Sequence, residues 1–454
     1  MTPSPHRMPG ELFDEVAAGG GGAGALRLLA RAEHSRRLAS MYAATAAARA
    51  AGGPVAEEAG RAWELFAAAT RAAPEAAAAV LTHPAAGPAL FGLLAHLTRR
   101  DDPERSPVRW FTALAAAAAV HAELPGRVEW PVDGPWVVLP SLGRARFPEA
   151  GSGGRAEIRV DAAGRARLSL RGHSPGAAPG TLTVPASPYR SAGRWHGAHL
   201  LATFDSGAPL LLDVLDQPGF PNAARCPDDL DADEVRRWAA VAREACGLLR
   251  TDHPELYTEL AAGPRLLVPL VGRGQGTVSG SSAETFGCVA MSRPTTGPGF
   301  AVTMTHEMQH NKFAALLHLF DLLEPGGPEG FYAPWRPDPR PLLGLFHGAY
   351  AHLGVARFWA RQRETEPDPG LRTEAHMQFA RWRLAAREAT LVTLASGRLT
   401  PLGVRFADRM LRTLDALCRL PVPASARHRA ESAARAHRAA WRERNGSTAR
   451  MLSA

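Results

Sequence analysis

From its start to about residue 125 the chain is a succession of alanine-rich stretches with apolar residues at helical spacing, each cut short by glycine or proline. Proline lacks the amide proton a helix interior needs, so each break ends a helix and turns the chain back on itself. After a glycine hinge at Gly19–Gly22, the spacing predicts a helix from about Ala25 to Ala51. Further helices follow over 56–72, 74–82, 88–99 and 106–123, with Gly-Pro, Thr-His-Pro and Asp-Asp-Pro between them. Such alanine runs favour close helix packing. The texture changes near Pro125. Short β-type runs appear at Trp136–Leu139, Ala156–Val160, Ala166–Leu170, Thr181–Val184, His199–Phe204 and Pro209–Val214, which predicts a small antiparallel sheet or partial barrel. Asp228–Leu249 returns to helix, and 265–292 is again extended, closing with Phe286–Met291. Helical periodicity then resumes, with helices over Leu342–Arg363 and about 370–396, 402–418 and 424–445. The expected fold is a mostly helical α+β chain: a helical N-terminal region over 1–125, a mixed region with an antiparallel sheet over 126–300, and a helical region over 301–454.

Charge excludes less than it first suggests. The net charge is +8, but of the 52 lysine and arginine residues a single one, Lys312, is lysine. The positive residues are spread along the chain and aromatics make up only 7%, so no concentrated basic patch with stacking rings points to nucleic acid. Cys226, Cys246, Cys288 and Cys418 form no Cys-x-x-Cys pair and no three-cysteine cluster, which predicts reduced core thiols in a cytoplasmic protein. Met1–Val16 has no apolar stretch of a signal peptide, and the longest apolar run, Phe111–Val120, is about half a membrane span. No membrane association is expected.

The stretch Thr303–Phe313 contains His306-Glu307-Met308-Gln309-His310, a His-Glu-x-x-His pattern. On a helix the two histidines lie one above the other, so two neutral imidazoles can grip one divalent ion with Glu307 beside them. Met304, Met308, Ala315, Leu319 and Leu322 recur at helical spacing, and Thr303 or Thr305 is placed to cap the helix start. The alternative is a core or surface helix that carries two histidines. A third ligand must come from elsewhere. Glu324 and Glu329 lie in a Pro/Gly loop, and His318 is two turns beyond His310, too far along the axis. His347 and His352 lie on the next long helix, which can pack antiparallel to the first. Being five apart, they point in different directions, so one of them at most is expected to ligate.

The loop before that helix, Gly330-Phe331-Tyr332-Ala333-Pro334-Trp335-Arg336-Pro337-Asp338-Pro339-Arg340-Pro341, is stiffened by four prolines and suits the wall of a site. The histidine motif, this loop, Gly344-Leu345-Phe346-His347-Gly348-Ala349-Tyr350-Ala351 and Phe358-Trp359 together resemble the HExxH-type peptide-modification family, the 2-oxoglutarate-dependent peptide β-hydroxylases of ribosomal peptide (RiPP) natural-product biosynthesis. The similarity extends to His6-Arg7-Met8-Pro9, Leu12-Phe13-Asp14, Val80-Leu81-Thr82-His83-Pro84 and the Ser281-Ser282 and Phe286-Gly287 segment, and so spans most of the chain. Some members are fused to a radical SAM domain. The chain has no three-cysteine cluster for one, so the stand-alone form is expected, acting on a precursor peptide that a separate radical SAM maturase can share.

The resemblance implies a non-haem iron dioxygenase that uses Fe(II), 2-oxoglutarate and oxygen to place a hydroxyl on the β-carbon of a residue in the precursor peptide. Iron needs three protein ligands and three open positions, which His306, His310 and His347 would provide. Glu307 is then left for a catalytic role beside the metal, or to coordinate in place of a histidine. Arginine is the natural clamp for the distal carboxylate of 2-oxoglutarate, and Arg340, with Arg336 next, is the candidate. Tyr332, Trp335 and Tyr350 are placed either to line a peptide channel or to pack in the core. Two other classes compete: a zinc metallopeptidase acting on a leader peptide, and a catalytically silent peptide-binding protein.

Overall fold

Polar caps and prolines set where the helices begin. Thr296, Asp368 and Thr400 each accept the backbone N–H three residues on, each with proline in the first helical positions, so three helices start at fixed points. The computed structural model describes residues 5–99, 108–148, 153–171, 180–213, 230–272, 276–326 and 330–446. Among them run 13 helices and 12 strands. The fold is mostly helical α+β. Cys226 and Glu329 lie outside the described residues, as do the ends of the runs expected over Pro209–Val214 and from Asp228.

In chain order the elements are α1 (Gly10–Ala17), α2 (Gly22–Ala51), α3 (Gly53–Ala72), α4 (Pro74–Thr82), α5 (Ala86–Arg99) and α6 (Val108–His121); then β1 (Gly126–Val132), β2 (Trp136–Leu139), β3 (Gly143–Arg146), β4 (Gly154–Val160), β5 (Ala166–Arg171), β6 (Gly180–Thr183), β7 (Trp195–His196), β8 (His199–Thr203) and β9 (Pro209–Leu212). Next come α7 (Ala232–Asp252), α8 (Pro254–Ala262), β10 (Leu266–Pro269), β11 (Ser279–Gly280), β12 (Cys288–Met291), α9 (Gly297–Leu317), α10 (Leu342–Thr365), α11 (Pro369–Ala395), α12 (Pro401–Arg419) and α13 (Ala424–Asn445). The chain divides into two compact units. One comprises Met1–Leu29, Val241–Pro264 and Pro294–Ala454; the other comprises Ala30–Ala240 and Arg265–Arg293.

The second of these units holds all three sheets. Two are antiparallel, in strand orders β1-β4-β5-β6 and β2-β3-β7. The third, β11-β12-β10-β9-β8, is mixed, because β10 runs parallel to both β9 and β12. The sequence reading anticipated antiparallel pairing only. α7 and α8 come between β9 and β10, and β11 comes between β10 and β12, so the parallel partners are distant in sequence and local patterning does not register their pairing. Ala113–Ala119 of α6 are buried without exception, so α3 and α4 approach its backbone closely. Trp130, Phe111, Phe147, Leu168 and Trp195 fill the core of this unit. Its central polar device is Arg37. The guanidinium is buried and donates to the carbonyls of Leu81, Thr82 and His83 at 2.9, 3.0 and 3.2 Å, closing the end of α4, and to Phe286 at 3.2 Å. Burial pulls its pKa down to about 10, so it stays charged. His83 beside it is pushed down to about 3, first by burial and then by Arg37, and is neutral.

The other unit is helical. α10 packs against α9, α11 and α12, and α11 also against α13. Phe13, Phe313, Phe320, Phe346, Tyr350 and Phe406 meet mostly edge to face at 5.0–5.9 Å around its centre. Among the described residues no single helix is long and apolar enough to cross a membrane, and the bent α4–α5 pair of sufficient composition contributes Val80, Leu81, Leu90 and Leu93 to a buried core.

Two outcomes follow. Arg37→Met leaves four carbonyls without their donor and is expected to destabilise the protein by about 3 kcal/mol, read by denaturant unfolding. His83 has a folded pKa below its unfolded one, so only the unfolded chain takes up a proton between them. Its contribution is therefore complete above the unfolded value of about 6.5 and is lost progressively as the pH falls toward about 3. His83→Gln is expected to shallow the fall in thermal midpoint over that window.

Candidate functional site

α9 begins at Gly297, two turns earlier than its apolar spacing suggested, and Thr296 caps it. Thr303 and Thr305 instead bond back to the carbonyls of Gly299 and Ala301 at 2.8 Å, as helix-interior threonines do. The helix ends at Leu317, so His318 terminates it and Leu319 and Leu322 lie beyond. The Thr-Gly-Pro-Gly opening of α9 has no apolar residue to reveal it.

His306 and His310 stand one turn apart with their Nε2 atoms 3.1 Å from each other. Two ring nitrogens at that distance either share one proton or turn both lone pairs to one cation. Adjacent ligands on an ion with metal–nitrogen bonds near 2.1 Å are about 3 Å apart. α10 brings two further imidazoles. The His347 ring lies 4.4 Å from that of His310, and the His352 ring 4.9 Å from that of His306. Both histidines of α10 therefore face the pair, against the expectation that they diverge. The two helices run antiparallel here, and the axial rise of five residues, about 7.5 Å, nearly matches the 6 Å or so between His306 and His310.

The two α10 rings are held differently. His347 stacks on Phe313 and turns its Nε2 to the His310 carbonyl at 3.1 Å, leaving Nδ1 with the lone pair. His352 is sandwiched between Trp335, at 4.3 Å, and Trp382, at 4.8 Å, and its Nδ1 meets the Gly348 carbonyl at 2.8 Å. Burial holds all four imidazoles below their ordinary pKa, His347 at about 4, so all are neutral near pH 7. Glu307, buried beside them, pulls His306 the other way.

As the side chains stand, no group of three His, Cys, Asp or Glu among the described residues forms a ready metal site. His306 and His310 fit an ion as a pair. A third donor would come from His347, by leaving the His310 carbonyl or presenting its Nδ1, or from His352 through the Nε2 that its Nδ1 contact with Gly348 leaves with the lone pair. The buried Nδ1 of His310 has no hydrogen-bond partner, so that ring is positioned by packing and by the contact of its Nε2 with His306.

The proline-rich loop is closed at its neck, where Phe331 and Arg340 exchange backbone hydrogen bonds of 2.8 and 2.9 Å. That fixes Arg340, whose guanidinium lies over Gly344 about 3.0 Å from where a Cβ would sit. Its charge contributes to lowering both His310 and His347, placing it on their side of the cluster. Asp338 is 3.9 Å away. Arg336 is exposed and spends its guanidinium on Asp338 at 3.0 Å. One turn along α10, Gly348 makes room for the Trp335 indole. Tyr332 bonds His437 of α13, and Tyr350 is fully buried with its hydroxyl on the Val16 carbonyl, so both take the packing role. Ser281 and Ser282 belong to the other unit, where the Ser282 hydroxyl accepts the Glu284 N–H in a turn.

Sequence reasoning missed the rear of α9. Gln309 donates to the Gly19 carbonyl at 3.0 Å. Lys312, fully buried, donates to the Gly20 carbonyl at 2.9 Å and to Glu259 at 3.3 Å, while Glu259 also accepts the Gly22 N–H at 2.8 Å. The one signal available was that the chain's single lysine sits two residues after His310. Comparison with protein-family models and with curated proteins gave no match.

Gly348→Ala would drive a Cβ to 2.4 Å from the Trp335 indole. We expect it to unseat Trp335 from His352, seen as a changed near-ultraviolet circular dichroism signal with about 1–3 kcal/mol of destabilisation.

Proposed function

We propose that the chain is an Fe(II)/2-oxoglutarate-dependent oxygenase of the HExxH-type peptide β-hydroxylase family, working in the cytoplasm on a ribosomally made precursor peptide. The observation that carries the reading is the cluster of neutral imidazoles with the Arg340 guanidinium fixed on one side of it. In this reading His306, His310 and His347 hold the metal. His347 is preferred to His352 because it is half-buried and lies on the Arg340 side, whereas His352 is locked between two indoles. When bound, iron would supply the chemistry by which molecular oxygen puts one atom into a C–H bond, giving C–OH, and the other into succinate as 2-oxoglutarate loses carbon dioxide. The protein's share is positional. Arg340 receives the distal carboxylate of the co-substrate through its planar fork, and the pinned neck of the loop keeps that fork in place. Arg336, paired to Asp338, steadies the loop. Glu307, buried on the same helix turn, would orient a ligand or water beside the metal or take the place of a histidine. A hydrolase has no need of an arginine fork beside its metal, which ranks the zinc metallopeptidase second.

Anaerobically prepared protein is expected to bind about one Fe(II) per chain, with the metal lost in His306→Ala and His310→Ala and in His347→Ala but largely kept in His352→Ala. With Fe(II), 2-oxoglutarate, oxygen and its precursor peptide, mass spectrometry should find one intact product heavier by a single oxygen, with succinate. Two fragments formed without 2-oxoglutarate would establish a peptidase instead. Arg340→Lys should keep iron and weaken 2-oxoglutarate binding by about tenfold or more, since an ammonium cannot reproduce two parallel hydrogen bonds.

A further inference from the structure

Helix α11 carries four arginines, and three of them are held by acceptors. Arg372 donates to the Glu366 carbonyl at 3.4 Å, Arg383 to the carbonyls of Leu417 and Leu420 at 2.8 Å, and Arg387 to Asp415 at 2.6 Å. The fourth, Arg381, is half-buried and makes no hydrogen bond or ion pair among the described residues. Its guanidinium lies over the Trp382 ring, 4.5 Å from the centroid. A cation–π contact uses no hydrogen bond, so the five N–H donors stay open. Burial pulls the pKa of Arg381 down, and the group that pulls it the other way is the Tyr332 hydroxyl, which is neutral at pH 7. Around Tyr332 the guanidinia of Arg381, Arg438 and Arg442 face one carboxylate, Glu388, which is already paired with Arg438. The platform under Arg381 is fixed. Trp382 Nε1 donates to Gln378 at 2.7 Å, Gln378 donates to Glu374 at 2.9 Å, and Glu374 accepts from Arg429 of α13 at 3.0 Å. The same indole packs on His352, whose ring faces His306. Arg381 thus stands at the His352 end of the cluster, whereas Arg340 acts on His310 and His347.

We propose that Arg381 is a specificity-determining residue for the peptide substrate and receives an aspartate or glutamate side chain of it. A partly desolvated guanidinium without a counter-charge gains most from a carboxylate, which meets its planar fork with two parallel hydrogen bonds. The indole beneath holds the fork in place without competing for it. Three ring spacings of 4.5, 4.8 and 4.9 Å lead from Arg381 through Trp382 and His352 to His306. An extended chain advances about 3.3–3.6 Å per residue, so the carboxylate belongs within about four residues of the position oxidised. That this carboxylate sits on the hydroxylated peptide rests on the proposed function; the preference for a carboxylate rests on Arg381 alone. The co-substrate is the other carboxylate at hand, and the opposite placement of Arg340 assigns it there.

The test passes a library of random octapeptides, acetylated and amidated so that only side chains carry charge, over the immobilised full-length protein at about 0.15 M salt. It is run anaerobically, with and without Fe(II) and 2-oxoglutarate, and the retained peptides are read by mass spectrometry. The parent is expected to enrich aspartate and glutamate about tenfold over the input. Arg381→Gln should lose that enrichment, and Arg381→Glu should invert it to lysine and arginine, which a merely structural role would not do. Arg412→Gln, at an exposed position of α12, removes the same charge and should select like the parent. Calorimetry should find 2-oxoglutarate affinity and iron content unchanged in Arg381→Gln. Acidic enrichment that survives Arg381→Gln, no inversion in Arg381→Glu, no enrichment by the parent, or equal loss in Arg412→Gln would each overturn the proposal. A tenfold loss of 2-oxoglutarate affinity in Arg381→Gln would overturn it too, by making Arg381 the co-substrate clamp. A protein that takes up no iron yet selects acidic peptides through Arg381 would sink the oxygenase reading alone, and an active oxygenase without that selection would sink this one alone.

Discussion

A helix that presents chemistry on one face must still bury the others, and α9 does so with polar residues. Thr305, Glu307, Gln309, Asn311 and Lys312 are all at most 2% exposed. Each needs a partner, because an unpaired buried polar group costs about as much as several favourable contacts return. The partners of Gln309 and Lys312 are carbonyls of the Gly19–Gly20 hinge and the Glu259 carboxylate. Removing one member of such a buried ion pair costs about 3–5 kcal/mol, because the other charge is left stranded. The N-terminal strap is thus part of the site's support although it holds none of its imidazoles. The hinge can fulfil this only as glycine. Gly19 and Gly21 have φ of 85° and 99°, and a Cβ on Gly21 would meet Val16 and Ala25 at 2.8 Å.

The second constraint is the antiparallel seating of α10 on α9. It sets His347 opposite His310 and His352 opposite His306. Glycines one turn apart on α10 then decide what covers the cluster, since Gly344 admits the Arg340 guanidinium and Gly348 the Trp335 ring. Both covering residues come from one short loop whose ends are tied together. Proline stiffness, a backbone bridge and two missing side chains act together to fix a cation and an indole against four histidines.

Much of this was legible in the sequence, for identifiable reasons. The limits of α4 at Pro74–Thr82, α13 at Ala424–Asn445 and β2 at Trp136–Leu139 coincide with those read from spacing, because proline or a charge change marks their ends. Strands β1 and β3 escaped, since Gly-Arg-Val-Glu-Trp-Pro-Val and Gly-Arg-Ala-Arg carry too many charges and a proline to read as β-structure. In the fold those arginines lie beside acids or rings: Arg127 pairs with Glu129 and Glu157, and Arg144 covers Trp136. The histidine pair and the arginine loop could be named from sequence, but the convergence of His352 could not. Helical spacing gives direction relative to one axis, whereas α11 supplies Trp382 behind the ring and the Trp335 indole closes it from the front.

The electrostatics of the cluster bear on what can enter it. Burial keeps the four imidazoles neutral, and Arg340 adds to that by disfavouring a positive charge on His310 and His347. A neutral imidazole offers a lone pair, so burial, with a small addition from the guanidinium, keeps the rings competent as ligands. A divalent ion held by them would add two positive charges beside a third. The neutral imidazoles cannot offset that sum; the buried Glu307 carboxylate beside His306 offsets one charge, and Asp338, 3.9 Å from Arg340, is shared with Arg336. An incoming dianion with one end for the metal and one for the guanidinium would offset most of it. Within the proposed function, this charge balance suits a small dicarboxylate better than the neutral water that a hydrolase would place at the same position.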